Sequence, residues 1–148
     1  MASTLTPTTF KIHIIEEQIV RNSVNKNEII YTIPNVSNVD HRILTCPATT
    51  SVDLFNLNGV NPGAGVFPSG SLKYARISNL DDATSIAITV SGSKSGYTQE
   101  LLPTSSIFIV SPNITSSIFS SSFGDTIQSV SAYAITGNAD IEYTLINA

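Results

Sequence analysis

Tryptophan is absent from the sequence, cysteine and methionine occur once each, and charged side chains make up only 12% of the 148 residues. A single cysteine, Cys46, excludes an intrachain disulfide, so packing and hydrogen bonds must hold the fold. Length permits this, because a single domain of this size buries roughly two-thirds of the surface its unfolded chain exposes. Seven basic residues against eleven acidic ones leave a net charge of −4, and such a surface does not gather phosphates. Nucleic acid is therefore not an expected partner. No apolar run approaches the roughly 20 residues that cross a bilayer, and the start Met1-Ala2-Ser3-Thr4 lacks the basic-then-apolar order of a signal peptide. The expectation is a protein made in the cytoplasm, with no membrane partner.

Helical periodicity is also missing. Apolar residues do not recur at i, i+3, i+4 and i+7 over three turns, and β-branched residues outnumber the good helix formers. The period that recurs is two. Phe10, Ile12 and Ile14 alternate with Lys11 and His13 in a first strand running towards Val20, and the polar stretch 21–27 reads as a hairpin loop. Ile29, Tyr31 and Ile33 line a second strand that Pro34 ends, since proline cannot donate to a sheet ladder.

Further strands follow at residues 39–46 and 51–57, stopped by Pro47 and by "NGVNPGAG" (58–65), the longest candidate loop. "LKYARIS", "SIAITVS", "YTQELL" and "SIFIV" come next, each between turn-forming clusters. The segment from Gly92 to Gly96, "GSKSG", predicts a tight hairpin, and "TGNAD" predicts a second one between "IQSVSAYAI" and "ADIEYTLI". Between them lies a serine-rich stretch, 111–125, with only Ile114, Ile118, Phe119 and Phe123 as apolar anchors. Nine or ten short strands with turns between them predict an all-β fold, an antiparallel two-sheet β-sandwich that is jelly-roll-like, with a closed barrel as the alternative. Residues 1–9 are expected to form an N-terminal arm and 10–148 a single β-sandwich domain.

Few residues suit chemistry. Asp81 and Asp82 could offer carboxylates to a hard cation, but they lack the D-x-D-x-D-G ligand spacing and sit where Asn and Asp cap turns. His13, His41 and Cys46 are the only groups for nucleophilic or soft-metal work. His41 and Cys46 stand five apart on one predicted strand and so point to opposite faces, which counts against a dyad and leaves too few ligands for zinc. Glu16, Glu17, Asp53, Glu100 and Glu142 are the strand-borne carboxylates to consider for glycoside hydrolysis, yet Glu16 and Glu17 face opposite sides. Five tyrosines, Tyr31, Tyr74, Tyr97, Tyr133 and Tyr143, could replace tryptophan as a sugar platform, but alternating tyrosines pack more often than they bind. Gly63 and Gly65 have no following Lys-Ser/Thr and no helix, so they make no phosphate cradle. Asn35 and Asn113 head glycosylation-type triplets of the kind a chain rich in Ser, Thr and Asn produces by chance. No catalytic residue, metal or cofactor is expected, and an enzyme is not expected either.

Four blocks carry a resemblance: "NVDHRILTCP" (38–47), "KYARISNLDD" with "IAITVSG" after it, "YTQELLPTSSIFIV", and "AYAITGNADIEYTLI". In this order, spanning Asn38 to Ile146, they resemble the small virion structural proteins of tailed bacteriophages, especially those of aquatic bacteria. The resemblance implies a β-sandwich scaffold in the virion, most simply a capsid decoration or cement protein, a homo-oligomer bound to the major capsid protein. Residues 1–9 and the loops 58–70 and 111–125 are the expected contact regions of such a subunit, because they are the longest stretches without alternation and the last carries apolar anchors. A tail, neck or head-fibre accessory subunit is the alternative role within the particle, and a host-glycan-binding β-sandwich module is the alternative outside it.

Overall fold

A computed structural model describes residues 8–63, 66–68, 72–92, 96–110 and 127–148, without the side chains of 58–63, 66–68, 109–110 and 127. The described residues form twelve strands in chain order: β1 (Thr8–Val20), β2 (Ser23–Val36), β3 (Asn38–Cys46), β4 (Val52–Asn56), β5 (Asn58–Gly63), β6 (Val66–Pro68), β7 (Leu72–Asn79), β8 (Ile86–Gly92), β9 (Gly96–Leu101), β10 (Ser106–Val110), β11 (Ile127–Ala134) and β12 (Ala139–Asn147). The described residues form no helix, as the period-two pattern requires.

The strands fall into a four-stranded sheet, β10-β7-β12-β3, a six-stranded sheet, β5-β6-β4-β11-β8-β9, and a separate two-stranded ribbon, β1-β2. Pairing is nested: β8 with β9, β7 with β10, β4 with β11 and β3 with β12, all antiparallel. One parallel contact, Asn56 with Val66, attaches the short β5–β6 pair to the edge of the larger sheet. Strand alternation turns one row of each sheet inward. Ala75, Ile77, Ile141, Tyr143 and Leu145 from the smaller sheet share one hydrophobic cluster with Phe55, Ile86, Ile88, Val90, Val130 and Ala132 from the larger. The Phe55 and Tyr143 rings meet in this cluster with centroids 5.8 Å apart. Opposite the step from Val130 to Ser131 on β11, a register shift bulges β4 at Leu54 and lets the neighbouring residues Leu54 and Phe55 both become buried.

Several expectations need correction. The segment 21–27 is not a loop: β1 and β2 join through Arg21 and Asn22 alone, both at positive φ (48° and 66°), the geometry of a two-residue hairpin turn. Pro34 does not end the second strand, because β2 continues to Val36 through a register shift opposite Thr9, with Asn35 at φ 56°. An irregular position on an unpaired edge is where a ladder tolerates proline. "NGVNPGAG" is partly strand, since β5 covers 58–63; residues 64–65 lie outside the described set. "TGNAD" makes no hairpin. β11 pairs with β4 and β8, whereas β12 pairs with β3 and β7, so this connection carries the chain from one sheet to the other. The β1 and β2 strands pair only with each other among the described residues.

The hairpin around residues 92–96 is present, with Ser91 opposite Gly96. Its tip, 93–95, is outside the described residues, as are 1–7, 69–71 and 111–126, which hold most of the expected arm, part of the 58–70 loop, all of 111–125 and the Asn113 triplet. Gly96 is required for close approach: a Cβ there would lie 2.8 Å from the Val90 carbonyl oxygen. Gly96→Ala should therefore cost stability. Removing a glycine ordinarily gains about 0.4–1 kcal/mol through the unfolded chain, but overpacking costs about 1–3 kcal/mol and wins. A shift of the urea midpoint to lower concentration checks this.

Candidate functional site: an exposed ribbon and a charged sheet face

The ribbon is anchored at its base. Phe10, Ile12, Ile33 and Val36 pack with Tyr74, Ile146 and Ala148 in a second cluster, distinct from the main core, on the outer side of the four-stranded sheet. The Phe10 and Tyr74 rings stand 5.5 Å apart. Beyond the base every residue from Ile15 to Glu28 is exposed. At about 3.3 Å per residue this free portion is roughly 20–25 Å long.

Register assigns the ribbon two different sides. One carries Phe10, Ile12 and Ile14 opposite Ile33, Tyr31 and Ile29, then the polar rows Glu16–Asn27 and Gln18–Asn25. The Asn27 amide donates to Glu16 at 3.2 Å. The other side carries His13 opposite Ile30, Ile15 opposite Glu28, Glu17 opposite Lys26, and Ile19 opposite Val24. Its large apolar residues are uncovered: Ile15 is 55% exposed, Ile19 66%, Val24 60% and Ile30 52%. His13 Nδ1 lies 3.4 Å from Glu28 on this side. A two-stranded hairpin is marginal in water by itself, and this long one presents a row of exposed apolar side chains.

The outer face of the four-stranded sheet holds the other cluster of charge. Glu142, on β12, accepts from Arg76 on β7 and meets His41 on β3, both at 2.7 Å. Arg76 also reaches the Thr144 hydroxyl at 3.5 Å. Thr45 donates to Asp140 and Ser106 to Ser78 across the same face. Exposed Val39, Ile43 and Phe108 border these polar rows. Each carboxylate oxygen of Glu142 is thus engaged by a cationic or imidazole partner, a structural tie across three strands. At the inner edge, Asp40 accepts from Arg42 Nε (3.0 Å) and from the Tyr143 hydroxyl (3.3 Å). The hydrogen bond to Asp40 raises the Arg42 pKa, and burial pushes the Tyr143 phenol up to about 12.

The remaining residues singled out from sequence are dispersed. Asp81 caps the turn between β7 and β8: its carboxylate accepts the backbone N–H groups of Ala83 (2.9 Å) and Thr84 (2.6 Å). Those two bonds hold its pKa below the usual carboxylate value. Asn79 completes the cap, accepting from the Asp81 N–H and donating to the Thr84, Leu101 and Leu102 carbonyls. The turn reading of this acidic pair is the one observed. Cys46 is a fully buried thiol whose pKa burial raises to about 11, and His41 points to the opposite, outer face. Glu16 and Glu17 sit on the ribbon, Asp53 and Glu100 on the larger sheet, Glu142 on the smaller. Asp53 and Glu100 belong to strands three places apart, roughly 14 Å, beyond the spacing of a hydrolytic carboxylate pair. Tyr74 and Tyr143 are buried, and only Tyr97 is largely exposed, so the tyrosines form no shared platform.

Among the described residues no cluster of three or more His, Cys, Asp or Glu side chains could hold a metal, and no helix is long and apolar enough to cross a membrane. Sequence reasoning missed the Arg76–Glu142–His41 tie and the exposed side of the ribbon. The only local signal for the latter was the spacing of Ile15, Ile19 and Val24 around a two-residue turn. Compared with known protein families and curated proteins, the chain matches no family model and no curated relative.

Proposed function

We propose that this chain is a bacteriophage virion structural protein, a capsid decoration or cement subunit that self-associates and binds the major capsid shell. The observation that carries the reading is the ribbon, a long hairpin whose uncovered Ile15, Ile19, Val24 and Ile30 suit adhesion to another protein surface. The small charge complement and the hydroxyl-rich outer face of the larger sheet, where Thr89 and Thr98 bond at 2.9 Å, fit a subunit seated in a repetitive lattice.

The scaffold reading within this proposal is a two-sheet sandwich of jelly-roll type. It is supported by the nested pairing: leaving out the β1–β2 ribbon and the β5–β6 insertion, eight strands fold as one long hairpin whose two arms are wound together. The shared cluster and the Phe55–Tyr143 contact support face-to-face stacking of the two sheets. Fold alone does not fix the role.

Particles assembled with and without this chain test the function. Subunit-resolution imaging should show many copies bound across the shell lattice, and particles lacking it should lose resistance to heat and osmotic shock. Equal resistance with unchanged surface profile would overturn the decoration role. A few copies confined to the neck or tail would replace it with the accessory-subunit role.

A further inference from the structure

We infer that the ribbon is a self-association element: the free edge of β1 pairs antiparallel with the same edge of a second copy, centred on Ile14. The ribbon's two edges are not alike. On β2 the edge is regular only from Ser23 to Ile33 and is broken at the base by Pro34, which has no N–H to offer, and by Asn35 at positive φ. On β1 pairing to β2 is unbroken from Phe10 to Val20, with no proline, glycine or bulge, so its outer edge is a regular row of backbone donors and acceptors. Residues of β1 alternate sides, and a twofold placed at Ile14 keeps like sides together. Ile12 then faces Glu16 of the second copy, His13 faces Ile15, and Lys11 faces Glu17.

Charge matches in this register. The Lys11 and Glu17 side chains make no hydrogen bond or ion pair among the described residues and both are exposed, and the twofold creates two Lys11–Glu17 pairs of opposite sign across the seam. Residues 8–36 hold three basic and three acidic side chains, leaving the ribbon neutral while the rest of the chain carries the net −4, so two ribbons meet without the repulsion that two bodies would feel. Phe10, Ile12 and Ile14 of the two copies extend the partly buried apolar side across the seam. A marginal two-stranded ribbon becomes a four-stranded sheet, β2-β1-β1-β2, held by main-chain hydrogen bonds. The inference rests on the proposed function only for self-association and adds how it is made.

Sedimentation of the full chain should show a dimer, with amide protection at residues 10–18 that rises with protein concentration. Lys11→Glu alone, or Glu17→Lys made together with Lys26→Glu so that its cross-strand pair inside the ribbon keeps opposite signs, sets like charges opposite each other twice and should weaken association about tenfold. The double variant, carrying both of these changes, restores opposite charges at both places and should recover wild-type association to within about threefold. A chain that stays monomeric, or one whose association ignores both swaps or is not rescued by the double variant, overturns the inference. A monomer that still decorates shells would do so while leaving the capsid reading standing, and a self-associating chain that ignores shells would do the reverse.

Discussion

Phe55→Ala should lower stability by about 3–5 kcal/mol, the usual cost of emptying a large aromatic site in a packed interior. Phe55 is almost wholly buried and faces Tyr143, which is equally buried and projects from the other sheet. Neighbours cannot collapse into the gap easily. Val130 stands opposite Phe55 in the ladder and Leu54 occupies the adjacent bulge, so both are held by backbone register. A domain stable by about 5–15 kcal/mol would lose about a fifth or more of that margin, with a fall in Tm of roughly 6–20 °C at this chain length. Thermal and urea unfolding check it. A loss under about 1 kcal/mol would mean that the faces of the two sheets do not depend on each other.

Ile33→Ala should cost about 2–4 kcal/mol, and the cost should be local. Ile33 is fully buried, yet its cluster is separate from the main core and consists of the ribbon's base on Tyr74, Ile146 and Ala148. Removing the anchor leaves the ribbon with little besides its own marginal hairpin. Hydrogen exchange reads the difference. Amides at residues 29–33 should lose protection by a factor of thirty or more, roughly 2 kcal/mol, while those of β8 and β12 keep theirs. Equal loss everywhere would show that the ribbon and the sheets open as one unit.

What was legible in the sequence follows from which interactions are local. Alternation along a strand is local, so the strands at 39–46, 72–79, 86–92 and 139–147 could be read closely. The fates of Cys46 and His41, inside and outside, follow from an odd spacing on one strand. The Asp81 cap needs only its neighbours within three residues. Turn chemistry was less transparent at Arg21-Asn22, where neither residue is the glycine that ordinarily announces positive φ. "TGNAD" has the composition of a hairpin turn, but whether the following strand returns beside its predecessor or leaves for another sheet depends on β3 and β7, far away in sequence. The tie through Glu142 was invisible for the same reason: its partners lie 101 and 66 residues upstream, and only strand register brings them together. Pro62 and Pro68 concealed β5 and β6 because proline signals a break, while a sheet margin tolerates it.

Strand β12 occupies an interior place in the four-stranded sheet, hydrogen-bonded to β3 on one flank and β7 on the other, yet it is the last strand in chain order. During synthesis β3 and β7 emerge early and wait, with their inward side chains wet, until the strand that belongs between them leaves the ribosome. Loop closure over such spans is slow, so this sheet cannot close before residues 139–147 have been made, and a chain truncated before residue 139 has nothing to fill the seam.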